Sequence, residues 1–389
     1  MESVIKTVEN MIPFGRPLIG EKEREVVLKA LSSSQLVHGP FSQKFESMFA
    51  QMLGPGISAT SVSSCTAGLH LAYLHFGIGP GDEVIVPAQT HVATAHAVEI
   101  TGAKPIFVDC DESGNIDVNK IEGYLTVNTK AICVVHYPGL PVRMDKVMQI
   151  AKSRNLVVIE DCALAIGGSF KGKPCGTIGD IGCFSFYPAK HMTTGEGGMV
   201  VSRDPKIIES ISNIKSFGYD KSASERKIPG IYDIKRLGIN YRMSEIAAAI
   251  GTVQLEKIDG FLKIRDKNVS TLRKLLLEVD DIRLLPDGDN DRKHANYCLV
   301  VVLEKKFSSR RNEIVLNLLS NGIGTSVYYP VPLPLSSYYV AKYGGKASDF
   351  ANSKTISESS IAFPIGPHLG EADMVRIAET FKNSLLEIK

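Results

Sequence analysis

Strand-length apolar runs separated by helix-length stretches predict an α/β fold: a mostly parallel sheet between helices, followed by a smaller C-terminal α/β unit. Residues 83–86, 105–108, 131–135 and 156–159 are largely apolar throughout, not alternating. A half-exposed strand alternates, so continuous apolarity means that both faces of the sheet are covered. The intervening stretches, such as 145–155, are long enough for the crossover helices that parallel strands require.

Taken in order, 21–32 reads as an amphipathic helix and 68–76 as a mostly apolar one, ahead of the four buried strands. A glycine-rich stretch then gives way to a further strand at 199–202. After about Gly251 the pattern changes. A long charged amphipathic stretch, 252–280, leads to strands near 282–285 and 297–303, a helix at 309–320 and a terminal helix at 371–388. This divides the chain into a large unit, 1–250, and a small one, 251–389. No repeat or low-complexity tract interrupts either.

Composition excludes several functions. With 44% apolar and 22% charged residues in a chain of 389, an ordinary globular core is expected. A net charge of +2 gives no reason to invoke nucleic acid or an anionic membrane. The apolar runs fall well short of the roughly 20 residues that span a bilayer. The opening Met1-Glu2-Ser3-Val4-Ile5-Lys6 lacks the apolar segment of a secretion signal, which points to the cytoplasm. Seven cysteines (65, 110, 133, 162, 175, 183, 298), odd in number and without a C-x-x-C pair, are expected as reduced, buried thiols and not as a metal site.

The chemistry centres on Lys190, in Phe186-Tyr187-Pro188-Ala189-Lys190-His191-Met192-Thr193-Thr194-Gly195-Glu196-Gly197-Gly198. A loop lysine is ordinarily solvated surface. Here the glycines allow a sharp turn and close backbone approach, so Lys190 would sit at the end of a rigid element, where desolvation makes an amine nucleophilic. Asp161 ends the strand at 156–159, at the sheet edge where α/β folds bind ligands. Such an amine and carboxylate suit a covalently held pyridoxal phosphate, which needs a lysine for its imine and an acid to keep its pyridine nitrogen protonated. Ser64-Cys65-Thr66-Ala67 precedes an apolar helix; these residues can simply cap it, or their amides and the Thr66 hydroxyl can cradle a phosphate. Ser185 could add a hydroxyl to that phosphate, and His91, otherwise a structural histidine, could stack on a pyridine ring.

In this order the motifs resemble the DegT/DnrJ/StrS family of sugar aminotransferases, of the fold-type I architecture of pyridoxal phosphate enzymes. The resemblance runs from Pro17-Leu18-Ile19-Gly20 and Gly39-Pro40-Phe41 through Thr90-His91-Val92-Ala93-Thr94, Glu160-Asp161 and the Lys190 segment to Gly238-Ile239-Asn240-Tyr241-Arg242-Met243-Ser244. It implies that Lys190 forms the imine and shuttles the proton, and that Asp161 pairs with the pyridine nitrogen. It further implies that Thr66, Ala67 and Ser185 hold the phosphate, and that Asn240 reaches it from a partner subunit of a homodimer. Glutamate would donate the amine to a ketone on a nucleotide-linked sugar, by a ping-pong mechanism. Cys65, Leu164, His91 and Tyr328 depart from the residues usual at their positions. Two other readings remain: a sugar dehydratase of the same family, in which histidine replaces the lysine, and a non-catalytic regulatory protein on the same fold. Counting back from Gly195-Glu196-Gly197-Gly198 places Lys190, not His191, at the catalytic position.

Overall fold

A computed structural model describes residues 11–220, 227, 228 and 230–388, so the opening segment Met1-Glu2-Ser3-Val4-Ile5-Lys6 lies outside the described residues. The large unit is built on strands β1 (Ser58–Val62), β2 (Glu83–Pro87), β3 (Lys104–Val108), β4 (Thr129–Val135), β5 (Val157–Asp161), β6 (Ile181–Ser185) and β7 (Gly198–Ser202). They lie side by side in the order β1-β7-β6-β5-β4-β2-β3. Pairings from β6 across to β3 are parallel, whereas β7 runs antiparallel to both of its neighbours. The reason is the connection. β6 and β7 are joined by the Lys190 turn without a crossover helix, and a return that short can only be antiparallel.

Helices α1 (Glu21–Leu31), α2 (Pro40–Leu53), α3 (Cys65–His75), α4 (Val92–Ile100), α5 (Met144–Arg154), α6 (Pro205–Ile214) and α7 (Glu245–Leu276) cover this sheet. Alternation along the strands sorts the core into layers. Val84, Val86, Cys133 and Ile159 pack with Leu69 and Leu71 of α3, Ala95 and Val98 of α4 and Ile211 of α6. Their neighbours Ile85, Ile132, Val134 and Val158 pack on the opposite face with Met144, Val147 and Ile150 of α5. The run of apolar residues is therefore two interleaved sets, as the sequence pattern predicts for a covered sheet.

Two helix starts fall earlier than periodicity places them. α3 begins at Cys65, not Gly68, because Ser64 caps it: Ser64 Oγ accepts from the Ala67 amide at 3.1 Å. α7 begins at Glu245, not 252, after the Ser244 cap, and ends at Leu276. The boundary expected near 250 thus falls inside one continuous helix. Glu245 also fixes the start of α2, its carboxylate accepting from the amides of Gly39 (3.0 Å), Phe41 (2.7 Å) and Ser42 (3.0 Å).

The C-terminal residues form an antiparallel sheet of β8 (Ile282–Leu284), β9 (Leu299–Leu303) and β10 (Ser360–Phe363), in that spatial order. The end of α7 and the helices Arg311–Ser320 and Glu371–Glu387 pack on it through Leu272, Leu318 and Phe381. A short ladder from Ser169–Phe170 to Arg292–Lys293 ties this unit back to the large one. All seven cysteines are free and buried. Among the described residues no helix is long and apolar enough to cross a membrane.

The end of β5 is pinned by Glu160, which has no exposed surface. Its carboxylate accepts from the amides of Gly176 (2.8 Å), Ile178 (2.8 Å) and Gly179 (2.7 Å) and from His136 Nε2 (2.9 Å). Burial raises the Glu160 pKa, but the bonds to His136 and the amides outweigh it and hold the carboxyl below its ordinary value. His136 Nδ1 accepts from the Val142 amide at 3.1 Å, so Nε2 carries the proton that meets Glu160. Cys162 lies within the same cluster, yet Glu160 is already saturated by hydrogen bonds. Replacing Glu160 with leucine strands three buried amides, and urea unfolding is expected to show a loss of about 3 kcal/mol or more. The folded-state pKa is depressed, so this stabilisation is complete above the unfolded value of about 4.3 and disappears as pH falls through the folded value. The gap between wild type and Glu160→Leu should accordingly narrow in acid, which unfolding midpoints measured from pH 7 downward would show.

Candidate active site

Adjacent residues on a strand point to opposite faces, so pinning Glu160 beneath the sheet turns Asp161 toward α3 and α4. Asp161 is 4% exposed. Its Oδ2 accepts from Thr94 Oγ1 at 2.8 Å, and its Oδ1 from the Ala163 amide at 3.1 Å. Thr94 is in turn bonded to Thr90 Oγ1 at 2.8 Å. The Cys65 thiol lies 3.8 Å from Asp161 Oδ1, and burial followed by that carboxylate pushes its pKa well up, so it stays a neutral thiol.

Lys190 occupies the β6–β7 turn. The turn is built by Thr193 Oγ1 donating to Phe186 O at 2.9 Å and by Gly195 at φ 82°, a left-handed conformation in which a glycine carries no Cβ penalty. Lys190 Nζ lies 5.1 Å from the centre of the Tyr297 ring. Burial lowers its pKa, and the proximity of Asp161, Cys65 and Cys298 only partly restores it. It forms no direct ion pair with Asp161 among the described residues. Next door, His191 faces away: Nε2 bonds to Ala295 O at 2.8 Å, and the ring is 2% exposed. Of the two neighbours, the lysine is the one presented to Asp161.

Ser185 pairs with Gly198 across β6 and β7. A Cβ on Gly198 would lie 2.7 Å from the Cys65 amide nitrogen, so only glycine lets β7 pass this close to the start of α3. Ser185, Thr66 and the α3 amides are thereby drawn to one place at a positive helix end. The Ala67 amide is engaged by the Ser64 cap, whereas the Cys65 and Thr66 amides lie in the first turn, where no helical carbonyl can accept them. His91 caps α4 through Nδ1, which accepts from the Ala93 amide at 3.2 Å, and its ring centre is 6.0 Å from that of Tyr329. Burial, then the Lys190 charge, lowers its pKa, so the ring is neutral.

Asn240 stands apart. It is exposed, its Oδ1 accepts from Arg242 Nε at 2.8 Å, and no described hydrogen bond or ion pair joins it to Lys190, Asp161 or Ser185. Its neighbour Tyr241 accepts from the Ser63 amide at 2.8 Å, so the segment ends beside the start of α3. Leu164 is buried in an apolar cluster with Tyr137, Tyr297 and Cys298. Of the tyrosines beside it, the sequence singles out Tyr328 but not Tyr137 or Tyr297. Tyr297 OH bonds to Tyr328 OH at 2.9 Å, and the Tyr137 hydroxyl to Tyr328 O, but single tyrosines in strands and loops carry no motif. Thr94 had a signal, a second hydroxyl four residues after Thr90 at a helix start.

The geometry fits pyridoxal phosphate on structural grounds: a desolvated amine, a buried carboxylate, and a helix start crowded so closely by Gly198 that a Cβ has no room. Comparison with known proteins agrees. Residues 17–382 match the family model of the DegT/DnrJ/EryC1/StrS aminotransferase family. The chain is 38% identical over 379 residues to a GDP-perosamine synthase of Escherichia coli O157:H7, covering 95% of this chain and 97% of that protein. It is 34% identical over 386 residues to the spore coat polysaccharide biosynthesis protein SpsC of Bacillus subtilis strain 168, covering 98% of each. Among solved structures, the pyridoxamine phosphate form of a putative sugar aminotransferase, Spr1654 of Streptococcus pneumoniae, superposes with a TM-score of 0.91 at 28% identity, over 97% of this chain and 100% of that one. A desolvated lysine facing a buried strand-end aspartate, on a chain matched from end to end, thus belongs to the DegT/DnrJ/EryC1/StrS family of pyridoxal phosphate-dependent sugar aminotransferases.

Proposed function

We propose that this enzyme moves an amino group from glutamate to a keto group of a nucleotide-linked deoxysugar, with Lys190 and Asp161 as its catalytic residues. The observation that carries the reading is the Lys190 amine, depressed by burial and held near the Asp161 carboxylate without pairing to it. Bound pyridoxal phosphate supplies an electron sink for the pair released when an amino donor loses its α-proton. Lys190 would anchor it covalently and, as a free amine, would take up and return the proton of the amino donor. A lysine at its ordinary pKa would be almost wholly protonated at neutral pH; desolvation raises the free-base fraction. Asp161 would hold a proton on the pyridine nitrogen. Thr94 and the Ala163 amide aim its carboxylate, while leaving acceptor capacity for that proton. Thr66, Ser185 and the start of α3, Ala67 included, would hold the phosphate, and His91 would lie against the ring. The sequestered His191 ring argues against the dehydratase reading, and the intact Lys190–Asp161 pair against a non-catalytic protein.

We further infer a homodimer with shared active sites. Ile231, Ile234 and Leu237 are 66%, 63% and 82% exposed on the segment that leads to Asn240. An apolar surface of that kind calls for a partner, and a second copy would let Asn240 reach the phosphate across the interface. The seven free thiols suit a reducing compartment, and we place the enzyme in the cytoplasm.

Adding glutamate alone to the yellow, cofactor-loaded protein is expected to bleach the visible band and release 2-oxoglutarate. A band that glutamate leaves unchanged would refute glutamate as donor. Lys190→Ala should lose activity by several orders of magnitude, because the covalent anchor and the proton carrier go together; wild-type turnover in that variant would exclude the mechanism. Asp161→Asn should lower kcat by roughly 100-fold or more, since a neutral amide no longer stabilises a protonated pyridine. Sharing of sites has its own test. Refolding Lys190→Ala and Asn240→Ala chains together in equal amounts should restore about a quarter of wild-type activity, because half the dimers then carry one intact site. Activity no higher than the mean of the two parents would mean that each site is made by one chain.

A further inference from the structure

Against the Lys190 turn lies a cavity of about 20 Å³ whose lining includes Lys190, Arg16, His191, Gln254, Arg265 and His368. Three polar atoms of that lining make no hydrogen bond within the described protein: His191 Nδ1, Arg265 Nε and His368 Nδ1. His191 is 2% and Arg265 4% exposed. Orphaned buried polar atoms are costly, so three from separate parts of the chain at one small cavity call for a common partner.

The chemistry of that partner follows from the other ends of the same side chains. His191 Nε2 is 2.8 Å from Ala295 O, and His368 Nε2 is 3.1 Å from Pro13 O. A carbonyl only accepts, so both rings carry their proton on Nε2 and leave a lone pair on Nδ1 without a protein donor. Burial lowers the pKa of both rings, and the Arg265 charge lowers that of His191 further, which keeps both neutral. Arg265 Nη1 donates to Asn296 O (3.2 Å) and Tyr297 O (2.8 Å), leaving Nε–H as a donor. The group required therefore donates twice and accepts once. Water does this; an anion would meet two lone pairs. A volume of about 20 Å³ is enough for one water centre.

We propose that His191, Arg265 and His368 hold a single structural water that clasps the Lys190 turn to the C-terminal unit, with His191 and His368 acting as positioning residues for Lys190. The clasp joins three segments. His191 brings the turn that carries Lys190. Arg265, on α7, also holds the backbone of Tyr297, whose ring faces Lys190 Nζ at 5.1 Å. His368 brings the N-terminal segment through Pro13, and its ring lies over Gly366, where a Cβ would come within 2.7 Å of Nδ1. The turn has a second tie to α7, the Thr193 amide donating to Gln254 Oε1 at 3.3 Å.

High-resolution crystallography of the holoenzyme tests occupancy. The expected result is one peak within roughly 2.7–3.2 Å of all three atoms. A chloride identified by anomalous scattering, a side chain of the partner subunit in the cavity, or a ring flip that gives Nδ1 a protein partner would overturn the proposal. The positioning role is read on the Lys190 amine, which is faced by Asp161, Cys65, Cys298, His91 and His191 and is not contacted by His368. Its titration is followed in the apoenzyme through the pH dependence of the rate at which added pyridoxal phosphate develops its visible band. His368→Asn keeps an acceptor near the Nδ1 position, whereas His368→Leu removes it. Loosening the turn relieves desolvation, so the leucine variant should raise the midpoint by about half a pH unit or more, with the asparagine variant within ~0.2 unit of wild type. Equal midpoints in all three proteins would overturn the positioning role even with the water present, and should His368→Leu fail to fold, the density decides alone.

Discussion

Everything at this site depends on the charge buried beneath it. Glu160 lies on the far face of the sheet from the chemistry, with four hydrogen bonds converging on its carboxylate. Those bonds fix the end of β5 against β4 and the turn at 176–179. A strand so fixed has no freedom to slip by one residue, and such a slip would exchange the two carboxylates between faces. The direction in which Asp161 points is thus decided by a side chain that never meets the cofactor. A buried carboxylate is expensive unless its acceptors are filled; here the three amides and His136 fill them, so the cost of burying Glu160 is offset where rigidity is needed.

At Lys190 the balance runs the other way. Desolvation lowers its pKa, while Asp161 and the thiols of Cys65 and Cys298 oppose that shift, and burial wins. Had Nζ reached the carboxylate, Coulomb attraction would have favoured the ammonium and silenced the amine. Separation is what preserves reactivity. Asp161 has its own partners in Thr94 and the Ala163 amide, and Lys190 is held over the Tyr297 ring, a contact that offers a cation little competition with covalent chemistry. The two groups feel each other's charge and yet are kept from neutralising each other.

How much of this was legible in the sequence depends on whether the governing physics is local. Buried parallel strands announce themselves because both faces are apolar, and 83–86, 131–135 and 156–159 all lie in the central sheet. Asp161 and Lys190 could be singled out because each closes a recognisable local pattern, an apolar run or a glycine-rich turn. Helix starts were misplaced where a cap, not periodicity, sets them: Ser64 and Ser244 each begin a helix several residues before the apolar rhythm shows it. The 40–53 and 92–100 helices escaped notice because glycine and proline punctuation, or β-branched residues such as Val92, Thr94 and Val98, mask the helical period. Contacts between distant segments were not legible. Nothing local in Tyr297, Leu164 or Arg265 says that they converge behind and beside Lys190.

That convergence bears on substrate choice. Around Tyr297, whose ring faces Lys190, the wall is aromatic, with Phe14, Tyr137, Tyr297, Tyr328 and Tyr329 packed ring against ring. The hydroxyls of Tyr137, Tyr297 and Tyr328 bond within the wall itself. Such a surface presents ring faces and few free donors, which suits the apolar face of a deoxysugar but reads its hydroxyl pattern poorly. Discrimination between sugars differing at one carbon needs polar groups that would be left unpaired by the wrong one. With three of its hydroxyls engaged in this way, the wall itself contributes chiefly shape and ring faces to that choice.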